Sequence, residues 1–430
     1  MSLESWGMYP KVVSDVFSLQ NESALKEQLG NVDECIAFGN GRSYGDSALS
    51  DNIIHTKPYD YFLDFDEVEG ILHCQAGALL SDILDAFVPK GWFLRVTPGT
   101  KLITVGGAIA SDVHGKNHHV AGCFSECVDE FRLMDANGEI HYVSKEDELF
   151  LATCGGMGLT GVILDAKIRL KKINSSSIRQ TTIKTKNLKE TFTAFEEHAH
   201  MPYSVAWIDC LASGDALGKC LLMVGDFADD GNLEYKQKPK KNIPFNFPSF
   251  ALNKLSVKAF NWLYYNKAPS GTSQQRVSID TFFYPLDAIK NWNRIYGKNG
   301  FTQYQFILPK EKSYEGLERI LEKISQSGKG SFLAVLKLYG AKNDNYLSFP
   351  IEGYSLALDF KIEPGLFELL DELDKIVVEY GGRIYLTKDV RVSKETFEKG
   401  YEHIEKFRAL RKEKNMDKKF QSLQSKRVAI

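Results

Sequence analysis

Three glycine-rich segments hold many of the residues in this chain that could do chemistry. The first is Ala37-Phe-Gly39-Asn40-Gly41-Arg42-Ser43-Tyr44-Gly45-Asp46, where a short apolar run enters a glycine turn. Successive backbone N–H groups in such a turn form a nest able to hold a diphosphate. It is not a dinucleotide fingerprint: the third glycine of G-x-G-x-x-G would fall on Tyr44, and no long apolar helix follows. Alone, the segment reads as a tight turn. The second runs from Pro98-Gly99-Thr100 through Thr104-Val105-Gly106-Gly107 to Ser111-Asp112-Val113-His114-Gly-Lys116-Asn-His118-His119. Paired glycines before small residues let a flat ligand lie against backbone. The histidines and Lys116 gather proton donors and cations. Metal binding is the rival reading, but spacings of four and one with no nearby cysteine or acidic triad make a poor metal face. The third is Gly155-Gly156-Met-Gly158-Leu-Thr-Gly161-Val-Ile163. Three loops beside strand-like runs imply one extended ligand threaded between two small α+β lobes.

The elements that must position these loops are legible in part. Cys35–Phe38 reads as a buried strand, and Leu79–Val88 has helical apolar spacing closed by Pro89-Lys-Gly91. Phe131–Val143 reads as a hairpin with Asn137-Gly138 as a type I′ turn signal. Val162–Leu170 alternates like a half-buried strand. After about Asn174, strand-like runs at Ser204–Ile208 and Gln303–Leu308 alternate with amphipathic helices at Glu315–Ser325 and Gly365–Tyr380. A mostly antiparallel sheet with flanking helices is the economical reading, and the class is α+β.

Composition narrows the function classes. Of 430 residues, 43% are hydrophobic and 25% charged, with net charge −3, which argues against nucleic-acid binding through bulk charge. Seven cysteines, an odd number lying between positions 35 and 220, make a poor disulfide framework and suggest a reducing, cytoplasmic setting. The Cys123-x-x-x-Cys127 pair lacks partners for zinc. The start shows neither the basic nor the apolar region of a signal peptide, and no apolar run is long enough to span a bilayer. Between Tyr235 and Ile279 lie seven lysines, one arginine and no acid, broken by prolines and studded with aromatic residues. This suggests a mobile flap that touches a membrane surface or covers a site.

Taken together, the three loops resemble the FAD domain of the vanillyl-alcohol-oxidase superfamily, and within it the decaprenylphosphoryl-β-D-ribose 2′-oxidase family. The likeness continues through Trp292-Asn-Arg, Gln303-Tyr-Gln305-Phe, Lys337-Leu-Tyr-Gly340, Leu347-Ser-Phe-Pro350 and Lys388-Asp389-x-Arg391. It implies a two-lobed PCMH-type FAD domain at 1–175, a substrate domain at 176–382, and a C-terminal segment at 383–430 returning to the FAD domain. FAD contacts then fall on Ala37, Gly39 to Ser47, Gly99, Thr104 to Gly107, Ser111 to His114, Ile163 and Tyr385. Many relatives attach FAD through a histidine where Arg42 stands, so the resemblance implies non-covalent FAD.

By the same resemblance, Tyr44, His114 and Lys388 carry catalysis, and Lys116, Trp207, Gln303, Gln305, Lys337 and Ser355 meet substrate. Oxidising a secondary alcohol needs a group to take the hydroxyl proton, and a lysine held out of water can do so. Lys388 is assigned that role; a surface lysine paired to Asp389 is the alternative. Gln303 and Gln305 share one strand face and can bond sugar hydroxyls, while Lys337 can meet a phosphate. A mycobacterial family member has Gly-Trp-Asn-Ile-Cys-Val-Asp-Phe where this chain has Gly353-Tyr-Ser355-Leu-Ala357-Leu-Asp-Phe360. Thus Ser355 and Ala357 replace Asn and Cys, and the Ser355 change bears on the sugar-lipid accepted. The implied reaction is oxidation of polyprenylphosphoryl-ribose at its 2′-hydroxyl, with a separate short-chain reductase completing an epimerisation for cell-wall glycolipid synthesis. An aldonolactone or alditol oxidase, or a non-catalytic scaffold, are the rivals.

Overall fold

The computed structural model describes residues 2–236, 240–248 and 250–430. Among them, the first 175 residues build a two-stranded antiparallel ribbon, Ser2–Glu4 with Lys11–Val13, and two further sheets. Asp15–Ser18, Asn52–His55 and Ile36–Phe38 pair in parallel in a small sheet. A larger antiparallel sheet runs Ile140–Ser144, Val128–Met134, Val162–Lys172, Ile71–Gln75 and Phe62–Asp66, with Trp92–Leu94 on the far part of Val162–Lys172. The class is α+β, as the patterning indicates.

The second half builds one eight-stranded sheet with every pairing antiparallel. Its middle strands are Tyr203–Ile208, Ala334–Tyr339, Gly353–Lys361 and Phe301–Pro309, in that order. Alternation along them sorts the faces. Tyr304, Phe306, Leu308, Leu336, Leu338, Leu356, Leu358 and Phe360 enter one apolar core with Leu317, Ile320 and Ile324 of helix Lys310–Ser327 and Leu370 and Leu373 of helix Leu366–Glu379. Residues between them in the chain, namely Gln303, Gln305, Val335, Lys337, Ser355, Ala357 and Asp359, take the other face. The helices therefore cover one side of the sheet and leave the other for a site.

Strand Arg383–Ile384 still belongs to this sheet, at its edge beside Phe301–Pro309. The chain then turns back to the first domain. Cys35 bridges to Phe420, Lys419 Nζ donates to the Leu29 carbonyl at 2.8 Å, and Arg427 pairs with Asp46 at 2.8 Å.

Two local expectations need correction. The 135–139 turn is not type I′, because Gly138 alone has positive φ. Asp135 Oδ1 accepts from Asn137 N–H and Glu139 N–H and stabilises a longer turn instead. The 235–279 stretch is not one flap. An Asn253 capping box starts helix Lys254–Lys267, and Thr272–Ser278 is an edge strand paired with Ser177–Thr185. The prolines break the stretch outside the helix. Gln237, Lys238, Pro239 and Ser249 lie outside the described residues.

Candidate active site

The glycine loops and the uncovered sheet face enclose a cavity of about 950 Å³, near the top of the roughly 300–1,000 Å³ range of small-molecule sites. Its shape follows from contacts that only glycine permits. Thr104 caps helix Val105–Ala110, its Oγ1 accepting from Gly107 N–H at 3.1 Å. A Cβ on Gly39 would lie 2.5 Å from that Oγ1, so the first loop can rest on the second only without a side chain there. Asn40 ties them further, donating to the Leu102 carbonyl at 2.7 Å.

Most of the expected cofactor residues line this cavity. So do Lys116, Trp207, Gln303, Gln305, Lys337, Ser355 and Lys388. The exceptions are Gly45, Asp46, Val105 and Asp112. Gly45 packs against Asp389, whose carbonyl a Cβ would strike, and Asp46 holds Arg427. Val105 is core. Asp112, with φ +38, accepts from Ser125 N–H at 3.0 Å, Asn343 Nδ2 at 2.8 Å, Asn345 Nδ2 at 2.9 Å and Ser348 Oγ at 2.7 Å. These four residues shape the wall from behind.

The electrostatics are one-sided. Arg42, Lys116, Lys240, Lys267, Lys290, Lys337 and Lys388 line the cavity, against one described acid, Asp287. Arg42 Nε and His114 Nδ1 are buried without a protein partner. A cationic cavity with backbone-walled glycine loops and free buried polar atoms fits FAD, an extended ligand carrying a diphosphate.

Burial sets the proton equilibria. It holds His114 well below the usual histidine range, with Lys337, His118 and Lys388 adding repulsion, so the ring is neutral. Burial also brings Lys116 down to about 7 and Lys337 to about 8. Lys388 is lowered by burial too, opposed by the negative charge of Asp359. Its ammonium lies 3.6 Å from the centre of the Tyr44 ring. It is not paired to Asp389, which instead binds Arg427 at 2.9 Å. His114 Nε2 lies 3.4 Å from Gln305 Nε2, which also meets Ser355 Oγ at 3.3 Å. The arrangement joins weakened amine bases to a polar amide face, suited to taking a proton from a sugar hydroxyl.

Sequence reading missed two acids here. Asp287 accepts from Thr100 Oγ1 and Lys101 N–H at 2.8 Å each, fixing the Pro98–Lys101 turn. Asp359 accepts from Gln303 Nε2 at 2.6 Å. Its signal was present, since Ser355, Ala357 and Asp359 alternate along one strand face.

A family model described as an FAD binding domain matches residues 24–144. The decaprenylphosphoryl-beta-D-ribose oxidase of Mycolicibacterium smegmatis is 36% identical, covering 100% of this chain and 97% of that one. An uncharacterized protein of Streptomyces coelicolor is 29% identical over 77% of this chain and 94% of its own length. The L-gulono-1,4-lactone dehydrogenase of Mycobacterium tuberculosis is 23% identical over 91% and 89%. With the cavity, its cationic lining and full-length similarity in agreement, the chain belongs to the decaprenylphosphoryl-β-D-ribose oxidase family of FAD-dependent oxidoreductases.

Proposed function

We propose that the chain oxidises the 2′-hydroxyl of a polyprenylphosphoryl-β-D-ribose to the ketone, using FAD held without a covalent bond. The observation that carries the substrate class is the cavity's excess of seven cations over one acid in a chain of net charge −3. The flavin diphosphate accounts for part of that charge, but a neutral aldonolactone would leave the buried Lys116 and Lys337 without an anion to meet. Bound flavin supplies acceptance of the hydride that leaves the carbinol carbon. Lys388 takes the hydroxyl proton at Nζ, its neutral form favoured by burial, and neutral His114 holds the Gln305 amide through Nε2. Gln303 and Gln305 orient the sugar. Lys116 and Lys337 meet the phosphate, whose charge returns them to the ammonium form. Among described lining residues no cysteine and no histidine but His114 is present, and Arg42 cannot form a flavin bond. The keto sugar then passes to a separate reductase.

Steady-state turnover tests the substrate class. Removing the phosphate from the lipid-sugar should lower kcat/KM by about 100-fold, the effect of losing one or two charge-assisted contacts. Equal turnover of the dephosphorylated sugar, or preferred turnover of L-gulono-1,4-lactone, would overturn it.

We also propose peripheral contact with the inner face of a membrane. No helix among the described residues is long and apolar enough to cross one. Yet Phe250 is 76% exposed, and Trp262 and Leu263 are each 61% exposed. Tyr264 and Lys267, in helix Lys254–Lys267 with Trp262 and Leu263, line the cavity together with Lys240. Each lysine near an anionic surface adds roughly 1 kcal/mol of attraction, and the aromatic rings suit the interface. A W262S/L263S variant should keep its fold and lose most co-sedimentation with anionic vesicles at moderate salt. Binding equal to the parent chain would contradict this role for the helix.

A further inference from the structure

One carboxylate of the uncovered sheet face takes no part in the chemistry above. Asp359 stands directly opposite Gln303 in the pairing of Gly353–Lys361 with Phe301–Pro309, so both side chains rise on the same face. It is 1% exposed. Gln303 Nε2 donates to its Oδ1 at 2.6 Å, and the Tyr296 hydroxyl donates to its Oδ2 at 3.3 Å. An ionised carboxylate only accepts hydrogen bonds, so it selects the amide nitrogen of Gln303. The amide oxygen is thereby turned away from Asp359, as the acceptor that a ligand hydroxyl would meet in the cavity Gln303 lines.

Lys388 is the cation that acts on Asp359. Tyr44, under the Lys388 ammonium, packs on Phe301 at 5.2 Å between ring centres, and Phe301 stacks on Tyr296 at 4.3 Å. Amide, ammonium and carboxylate thus share one aromatic frame. The other titratable groups facing this set are Lys337 and His114 on the Lys388 side and Tyr44 and Tyr296 beside Asp359.

We propose that Asp359 is a positioning residue for the oxidation: it turns the Gln303 carbonyl to the substrate and sets a negative charge on the aromatic frame that also carries Lys388. This rests on the reading of Lys388 as the proton acceptor. The direction of its effect follows from charge. Burial lowers Lys388 and raises Asp359, while their mutual attraction opposes both shifts. With Asp359 ionised, Lys388 keeps its proton to higher pH, and only the neutral amine can accept the hydroxyl proton. Activity should therefore rise with pH along an acid limb that Asp359 sets.

The test is the pH profile of kcat/KM for flavin-loaded protein, using polyprenylphosphoryl-ribose as substrate. Asp359→Asn keeps the shape and removes the charge. Its acid limb should move to lower pH by about one unit, and KM should rise several-fold because the Gln303 amide is free to turn. Tyr296→Phe keeps the ring and removes one donor to the carboxylate. It should move the limb the same way by less, and it decides the matter if Asp359→Asn does not fold. An unmoved limb in a flavin-loaded variant, with rate lost equally at every pH, overturns the role of Asp359 and leaves Lys388 standing. A parent acid limb that persists in Lys388→Met overturns both.

Discussion

Lys388→Ala should bind flavin as the parent does and turn over about 100- to 10,000-fold more slowly, the usual contribution of a positioned general base. The side chain sits on a 3-10 turn, Leu386–Lys388, held where Tyr44 N–H donates to the Thr387 carbonyl at 3.0 Å. That backbone bond survives truncation, so the loop should stay in place. Among the described residues Lys388 forms no salt bridge, so truncation removes only its longer-range attraction to Asp359. Because its work is done when the hydroxyl proton moves, kcat and kcat/KM should fall together. Flavin loading is checked by acid precipitation, which should leave the flavin in the supernatant for both proteins. Parental rates in a flavin-loaded variant would remove Lys388 from the chemistry, and flavin fixed to the pellet would contradict non-covalent attachment.

Asp112→Ala should lower stability by about 3 kcal/mol or more and lose flavin. The carboxylate is fully buried and accepts four hydrogen bonds from Ser125, Asn343, Asn345 and Ser348. Three of those donors come from the segment after strand Ala334–Tyr339, so Asp112 latches the substrate domain onto the second glycine loop. Truncation leaves several buried donors without an acceptor, each costing roughly 1–3 kcal/mol before relaxation. It also puts alanine at φ +38, outside the region it prefers. Ser111, Val113 and His114, which line the cavity, are its neighbours. Asp112→Asn keeps one oxygen and the shape, so its loss should be smaller. Thermal melts and flavin content of the purified variants measure both effects. A parental melting temperature and full flavin content in Asp112→Ala would show that the latch is dispensable.

What the sequence disclosed was mainly local. Glycines at 39, 106 and 107 mark close backbone approaches, and period-two runs put Gln303 and Gln305 on one face. The buttresses lie far apart along the chain and leave no local trace. Asp359 meets Gln303 across 56 positions, Asp112 meets Ser348 across 236, and Asp46 meets Arg427 across 381. The family resemblance places Asp112 and Asp46 among the flavin contacts, beside residues that line the cavity. Their carboxylates in fact face away, toward partners only the folded chain supplies. The basic, aromatic stretch misled differently. Prolines suggested a continuous flap, whereas the Asn253 cap and the pairing of Thr272–Ser278 give most of its second half regular structure.

Oxidation of a phosphorylated lipid-sugar by flavin bound in this cavity is open to direct measurement. Its most direct test is an anaerobic titration of the purified flavin-loaded protein with polyprenylphosphoryl-β-D-ribose, followed by visible absorbance. The yellow flavin band should bleach with about one equivalent of substrate, one 2′-keto product should form per flavin, and L-gulono-1,4-lactone should leave the band unchanged. A band that stays oxidised with the lipid-sugar and bleaches with the lactone would contradict it.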